Sequence, residues 1–560
     1  MAMKKGKLLV IAGVLTTIGL LLISCGPGAE QPAAEQPTTE QLTTEQPIAE
    51  KPAVGGPKGE VTVVETNSGV RNMCDQLTAT SVSSGPIKMM LYDSLTWIDS
   101  EAKVQPALAE SWKVADDWSK IDFTLRQGIK WPNGAPFTAK DVKFSFDKFM
   151  EKTTMYHYAT DFQKYVKEVR VVDDYHVSVY CNEPFQVIFD RLQASAGMFP
   201  KDYYEKLGAA EFAAKPMGLG PFKVIDFKQD QFLNAEGVAN HYRQTPYVEK
   251  VHLIYVPEAT TQLAMLKTGE ADIIALSSDQ VRDVRNDPKL SIITSGASAQ
   301  TTIRFHDVMT PEISSPFLDL RVRQATSLAI DRKTACDKAF TGFWEPGYQY
   351  LAFYNPGYDP NYPAIPYDPV KAKQLLADAG YPNGFDTTLT FSTASSSIGS
   401  KTMSELIASY LSVVGIRCKM MPVDAGTFST LSNQTARDVR SPKALRGLST
   451  NSVPMWGGII HSGAAIASQL TSHGSLMGAG CYNLKTEALI DESMNYNVGD
   501  PRLAEIAKKI NETELADMYH CPLWFGSSQF AVGPKLVADN SLLTPGTGWY
   551  GFHFENIKLK

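Results

Sequence analysis

The chain has 560 residues, which at about 150 residues per domain predicts three or four domains. Hydrophobic residues make up 43% of the sequence and charged residues 20%, which is typical of globular proteins and excludes a disordered or multi-span membrane chain. The formal net charge is −7, so the chain lacks the basic character of a protein that neutralises phosphates, and we do not expect it to bind nucleic acid.

The first 25 residues have the pattern of a secreted bacterial lipoprotein. Three lysines precede an apolar run at 8–23, which is shorter than the roughly 20 residues of a membrane-spanning helix. The run ends in Leu22-Ile23-Ser24-Cys25, which resembles a lipobox. We therefore expect residues 1–24 to be a removed signal peptide and Cys25 to be acylated, which would hold the protein at a membrane. The alternative is a plain N-terminal anchor helix with an incidental cysteine.

The next segment, residues 25–58, is predicted to be a flexible tether. Glutamate recurs every five residues from Glu30 to Glu50, with proline and threonine between the glutamates. Because large apolar side chains are nearly absent, this segment cannot form a core. Its prolines favour an extended chain.

Six cysteines follow the tether, and their spacing excludes a zinc motif because no two of them form a CxxC pair. Exported proteins can contain disulfides, but six cysteines allow 15 pairings and the sequence does not choose among them. We expect most of them to be small buried hydrophobic residues. They are Cys74, Cys181, Cys336, Cys418, Cys481 and Cys521.

Strand and helix patterns alternate along the rest of the chain. Apolar runs predict strands at 61–64, 250–254 and 271–276, and a helix at 258–267 lies between the last two. Pro257 is predicted in the first turn of this helix, and a glycine follows its end.

Two later helices have clear boundaries. Asp368 followed by proline predicts a capped N-terminus, and a second helix is expected at 403–414, followed by a strand at 416–421. Helices that alternate with strands over such long spans predict an α/β fold.

Catalytic motifs are absent from the sequence. It contains no HExxH, no P-loop and no GxSxG, and its nine histidines include no pair at i and i+4. We therefore expect neither an enzyme nor a bound metal or cofactor. The alternative is a secreted, lipid-anchored hydrolase that uses some of the 60 acidic residues.

A series of short blocks between residues 60 and 525 carries a family resemblance. The blocks are LYDSLT from Leu91, PALAESW from Pro106, FTLR from Phe123, GIKW from Gly128, GLGPFK from Gly218, GEAD from Gly269, PFLDLRVRQA from Pro316, AIDR from Ala329 and YDP from Tyr367. In this order and spacing they closely resemble the extracellular solute-binding proteins of family 5, the substrate-binding subunits of dipeptide, oligopeptide and nickel ABC importers.

The resemblance implies a two-lobed α/β fold of the periplasmic-binding-protein type, cluster C. Lobe I would comprise 59–95, 217–303 and 521–560, with an inserted subdomain at 96–216, and lobe II would span 304–520. A small solute or peptide would bind between the lobes and be enclosed by hinge closure. The protein would then dock, as a monomer, on ABC permease subunits at the extracytoplasmic face of the membrane.

The ligand segment implied by the resemblance departs from the peptide-binding pattern. Relatives that bind peptides use a Trp and an Asp of the second lobe, and the counterpart here contains Arg446 and Trp456 but no acidic residue between 439 and 486. Burying an ammonium group without a carboxylate is costly, so this segment favours a neutral or anionic ligand. An acid from elsewhere in the fold is the alternative. A nickel chelate or an oligosaccharide also remains open.

Other candidate ligand contacts lie near the expected cleft. Arg304 and His306 would share one face of a strand, where Arg304 suits a carboxylate or, equally, a surface or interlobe ion pair. Trp344 and Trp524 offer aromatic faces, although core packing is the alternative for them. Asn67, just after the first strand, is a further polar candidate.

Overall fold

The computed structural model describes residues 56–65, 85–99, 103–393 without 155, 157, 230, 277, 341, 354 and 356, 400–454 without 425–426, 429, 433–434, 436–439 and 442–443, 483–544 without 494 and 497–499, and 551–560. These residues all belong to one compact unit. The predicted signal peptide, Cys25, most of the tether, Asn67 and Trp456 lie outside them. None of the helices in the described ranges combines the length and the apolar composition needed to cross a bilayer.

The described chain contains both helices and strands along its whole length. Up to residue 216 its elements are β1 (Glu60–Glu65), α1 (Gly85–Leu91), β2 (Thr96–Ile98), β3 (Val104–Pro106), β4 (Ala109–Val114), β5 (Lys120–Leu125), α2 (Ala139–Met150), α3 (Ala159–Tyr165), β6 (Val166–Asp173), β7 (His176–Cys181), α4 (Ile188–Ser195), α5 (Lys201–Leu207) and α6 (Ala209–Ala214).

The elements beyond residue 216 include the two longest strands. They are β8 (Phe222–Lys228), β9 (Phe232–Gly237), β10 (Lys250–Tyr255), α7 (Ala259–Thr268), β11 (Ile273–Leu276), α8 (Ser278–Arg285), β12 (Ser291–Phe305), α9 (Leu320–Leu328), α10 (Arg332–Thr334), β13 (Glu345–Pro346), α11 (Pro369–Asp378), β14 (Phe385–Ser392), α12 (Ser400–Val413), β15 (Ile416–Val423), β16 (Leu448–Pro454), α13 (Leu484–Ser493), α14 (Pro501–Asp517) and β17 (His520–Val532).

Eleven of the described strands form one large mixed sheet. Ten of them lie in the order β15-β14-β16-β12-β17-β11-β1-β10-β9-β8, and β13 pairs with β17 outside this path. Strand β1 is parallel to both β10 and β11, whereas β12 and β17 are antiparallel. A separate four-stranded sheet, β4-β5-β7-β6, lies within residues 96–216. The predicted α/β class is confirmed.

Two large apolar clusters fill the two halves of the sheet. The first core contains side chains such as Val63, Phe123 and Phe530, and so joins the four-stranded sheet to the β1 half of the large sheet. The second core contains Ile303 and Leu389, with the helices that cover the β14 half. Lobe boundaries at the predicted residues remain a prediction.

Local sequence explains where the helices begin and end. Asp368 caps α11, as predicted, because its Oδ1 accepts a hydrogen bond from the Lys371 amide at 2.8 Å. Helix α7 ends at Gly269, whose φ of +83° suits a residue without a Cβ atom. Its N-cap is Glu258, so Pro257 lies before the helix and not in its first turn.

The four described cysteines are free thiols. Cys336 and Cys521 are buried, as expected of small hydrophobic residues, while Cys181 and Cys418 are half-buried. Burial raises the pKa of Cys336 to about 12 and that of Cys181 to about 11, so these thiols stay protonated and unreactive at neutral pH.

A buried ionic network connects Asp93, just after α1, with Glu555 near the C-terminus. The guanidinium of Arg243 donates to Glu555 Oε1 at 2.5 Å and to Asp93 Oδ1 at 3.2 Å, and the Tyr242 hydroxyl donates to Asp93 Oδ2 at 2.5 Å. Burial opposes ionisation of Glu555, but Arg243 and His553 outweigh it and lower the pKa of this carboxyl well below its usual value. Glu555 therefore stabilises the fold above the pKa it has in the unfolded chain, and this contribution fades as the pH falls.

We predict that Arg243→Met destabilises the protein by roughly 3–5 kcal/mol, because it leaves Asp93 and Glu555 buried without their cation. The free energy of unfolding in urea at pH 7 measures this loss. Arg417→Met is the matched control, since Arg417 and Asp386 form an exposed pair at 2.5 Å and its loss should leave the unfolding midpoint unchanged. Equal midpoints for the two variants would refute a structural role for the network.

Candidate functional site

Strands β12 and β17 run between the two cores and form the framework of the candidate site. At one end Ile293 pairs with Phe530 in the first core, and at the other Ile303 pairs with Cys521 in the second. The same two strands thus supply buried side chains to both halves of the sheet.

The middle of this strand pair is irregular and lined by small polar groups. The register shifts on both sides of Ala297, next to Gly296, whose φ is +66°. The Ser528 amide donates to Ser295 Oγ at 3.2 Å, and the Ser298 and Ser528 hydroxyls lie 3.1 Å apart. We call Ser295–Ser298 together with Ser527–Ser528 the crossing segment. Regular pairing stops here, which makes this the least regular part of the pair.

An exposed aromatic ring lies beside the crossing segment. Phe353 is 52% exposed, and a Cβ atom built on Gly296 would lie 3.3 Å from its ring. A ring that is open to solvent and adjacent to hydroxyl groups can pack against an apolar part of a ligand. Phe353 could not be selected from the sequence, because its surroundings depend on the pairing of distant strands.

Arg304 and His306 are both buried, with 1% of their surface exposed. Arg304 lies within β12, but the strand ends at Phe305 and His306 begins a 3₁₀ turn. The ring nitrogen Nε2 of His306 lies 2.7 Å from Ser449 Oγ, and its amide donates to the Gly447 carbonyl at 3.1 Å. Burial excludes the surface ion pair considered for Arg304. Roles in ligand binding remain predictions for both residues.

Arg446 is half-buried just before β16. Its guanidinium makes two long hydrogen bonds, to the carbonyls of Leu445 and Ser441, each at 3.4 Å. Both acceptors are neutral carbonyls, and Glu312 is an acidic residue close enough to interact electrostatically with Arg446. Arg446 and Arg304 thus bring two guanidinium groups to the same half of the sheet, because Arg304 pairs with Ser449 of β16.

Trp344 and Trp524 lie in the second core. Trp524 is fully buried, and its Nε1 donates to the carbonyl of Arg332 at 3.1 Å. The Trp344 ring stacks on Phe340 at a centroid distance of 4.3 Å, and Phe340 also meets Trp524 edge-on at 5.1 Å. These contacts are those of core residues, the alternative that the sequence left open for them.

A buried carboxyl group that sequence reasoning missed lies at the end of β1. Glu65 is 2% exposed, and its Oε1 atom has no hydrogen-bond partner among the described residues. Burial raises the pKa of Glu65 to about 8. No motif marks this residue, and its burial arises only when β1 is placed between β10 and β11.

A second buried acid pairs with a histidine where β17 begins. His520 Nδ1 lies 3.1 Å from Glu514 Oε2, and both side chains are fully shielded from solvent. His520 pairs with Arg304 across the strands, so the polar interior of this half extends from Ser449 to α14. This pair was also missed from the sequence.

A small cavity of about 30 Å³ lies beside the ionic network. It holds one or two water molecules at most and is too small for a solute. Its lining includes Lys88, Asp93, Trp97, Arg243 and His553. Among the described residues, no cluster of three or more His, Cys, Asp or Glu side chains is suited to hold a metal ion.

Comparison with known proteins finds similar bacterial binding proteins. Heme-binding protein A of Haemophilus influenzae is 30% identical over 342 residues, which cover 56% of this chain and 61% of that protein. Glutathione-binding protein GsiB of Salmonella typhi is 29% identical over 361 residues, covering 63% of this chain and 67% of that one. The chain therefore spans about three fifths to two thirds of the length of these relatives.

Solved structures share the fold. The ABC transporter substrate-binding protein CtaP of Listeria monocytogenes superposes with a TM-score of 0.74 at 19% identity, covering 90% of this chain and 99% of that one. A dipeptide-binding protein of Pseudoalteromonas sp. SM9913, in complex with Met-Leu, gives a TM-score of 0.72 at 19% identity and covers 90% and 100% of the two chains.

A family comparison agrees with both results. The family described as bacterial extracellular solute-binding proteins, family 5 (middle region), matches residues 103–451, more than half of the chain. The chain belongs to the family 5 bacterial extracellular solute-binding proteins.

Proposed function

We propose that this protein is the extracytoplasmic substrate-binding subunit of an ABC importer, which captures a small solute and delivers it to the permease. The observation that carries the proposal is the β12–β17 pair, which links two separately packed cores through an irregular, polar middle. Membership of family 5 supports the same function. No chemical change of the solute is part of the proposal.

Capture would occur by closure of two lobes about the crossing segment. Lobe I would comprise 59–95, 217–303 and 521–560, with 96–216 inserted, and lobe II would span 304–520. Two cores joined by only a few strands favour rigid-body movement, because bending the strands costs less than repacking either core. A ligand that contacts both lobes would stabilise the closed state.

The ligand is proposed to be a peptide-like or other small solute with an anionic group. Arg446 and the buried Arg304 provide positive charge in one half, and the segment between residues 439 and 486 contains no acid. Among the relatives, one is named for heme and one for glutathione, and both of those molecules carry carboxylates. His306, Trp456 and Asn67 are further proposed contacts.

The N-terminal segment is proposed to fix the protein at the outer face of the cell membrane. Acylation of Cys25 would provide the anchor, and residues 26–58 would let the folded part move around it. A monomer tethered in this way reaches its permease without forming an oligomer.

We predict that solute remains bound to the protein purified under native conditions and is released on unfolding, where mass spectrometry identifies it. Returning the compound at 100 times its dissociation constant should stabilise the folded protein by about 2.7 kcal/mol, which a thermal shift detects. Conversion of the compound during incubation would contradict the proposal and favour a hydrolase. The unfolded, refolded protein without solute is the control.

We also predict that Cys25→Ala abolishes membrane attachment in the bacterial host. The wild-type protein should partition with membranes and into the detergent phase, because acyl chains supply about 0.8 kcal/mol per buried methylene. Cys74→Ala is the matched control and should leave partitioning unchanged. Membrane partitioning of the Cys25 variant equal to that of the wild type would contradict acylation at this residue.

A further inference from the structure

Glu65 occupies the position where open α/β sheets bind ligands. It is the last residue of β1, which lies between two parallel neighbours, with Val64 paired to Ile274 of β11 and Glu65 paired to Tyr255 of β10. The carboxyl ends of these three strands therefore meet at one edge of the sheet. Ligands of such sheets bind outside this edge, where the order of strands changes.

The face of the sheet on which Glu65 lies is otherwise apolar. Val61 and Val63, which share this face by alternation, are fully buried in the first core. Across the sheet at the level of Glu65, the next positions are Tyr255, a half-buried phenol, and Ala275, neither of which carries charge. Burial is the sole cause of the raised pKa, since no charged group of the described chain contributes to it.

Such a carboxyl group is costly in the unliganded protein. An unpartnered acid in an apolar setting retains its proton, because ionisation would bury a bare charge. Glu65 is 2% exposed and its Oε1 has no partner among the described residues, so the described part of the fold leaves this oxygen without a hydrogen bond. A glutamine would fit the same space without this cost.

The crossing segment is close enough to this carboxyl group for one small solute to contact both. Ala275 of β11 pairs with Phe530 of β17, so Phe530 lies two strands from Glu65 at the same level, and Ser528 is two residues further along. At about 4.8 Å between strands and 3.3 Å per residue, the Cα atoms of Glu65 and Ser528 are about 12 Å apart. The glutamate side chain spans part of this distance.

We propose that Glu65 receives the cationic group of the solute, an ammonium or a guanidinium, at the carboxyl end of β1. This inference rests on the proposed function and specifies its ligand class: a zwitterion whose cation meets Glu65 in one half of the sheet and whose anionic group meets the arginines of the other half. It supplies the acid that the segment 439–486 lacks.

The test compares the full chain with Glu65→Gln, an isosteric change that removes only the ionisable group. Each protein is screened by thermal shift against named probes: alanyl-alanine and its N-acetyl form, arginine, agmatine, glutathione, lactose and succinate. Probes with a cationic group should stabilise the wild type, and their affinity for Glu65→Gln should fall on the order of 10- to 100-fold. N-acetylation should cause a similar loss in the wild type only.

A pH series separates ligand recognition from a structural role. Guanidinium probes stay charged, so their affinity for the wild type should rise roughly tenfold per pH unit from pH 6 to 8 as Glu65 loses its proton, and should be flat for Glu65→Gln. Glu60→Gln, at the exposed opposite end of β1, is the matched control and should keep the wild-type profile.

Folding of the variant is checked directly. Because the folded protein holds the proton of Glu65 at pH values where the unfolded chain releases it, the unliganded wild type loses stability between about pH 4.5 and 8, and Glu65→Gln should avoid this loss. The role of Glu65 is overturned if only probes without a cationic group stabilise the wild type, or if the probes stabilise both proteins equally. Either result leaves the proposed function intact. No stabilisation by any probe counts against both.

Discussion

The antiparallel pairing of β12 and β17 is the constraint on which the rest of the molecule depends. These strands have 15 and 13 residues, well above the usual strand length, and each contributes buried side chains to both cores. Every other strand of the large sheet joins one side of this pair or the other. The two halves of the sheet are therefore built as extensions of one shared ribbon.

Two of the three register shifts in that ribbon flank Ala297, in a part where neither large core contributes many apolar side chains. Around the crossing segment, the apolar cluster of described residues contains only Ala297, Ala352 and Phe525, whereas each half packs dozens of apolar side chains. Local stability follows buried apolar contact, so this middle is the place where the ribbon bends most readily. The Ser528 and Ser298 hydroxyls there maintain polar contact without fixing the geometry as tightly as a regular ladder would.

Structural features that arise from local chemistry were predictable from the sequence, whereas features that arise from contacts between distant residues were not. Asp368 and Gly269 mark helix ends through their own side-chain or backbone chemistry, and both positions were predictable. Only the end of strand β12, around Arg304, was predicted, because its first half is rich in serine, glycine and threonine and lacks an alternating apolar pattern. Trp524 illustrates the opposite difficulty: an aromatic ring suits a core and a cleft equally, and only its neighbours decide between them.

Glu65 was not predictable from the sequence for a related reason. The burial of a carboxyl group is a property of the surrounding fold and not of its sequence neighbours. That burial also changes how affinity arises. In the unliganded state the acid is held protonated at a free-energy cost, and an arriving cation relieves that cost while it forms an ion pair. A solvent-exposed acid would gain far less from the same contact, because water already satisfies it. Because the other half of the sheet holds the anionic group of the same solute in this proposal, the gain is largest when the two halves are together, and the buried acid favours the closed state selectively.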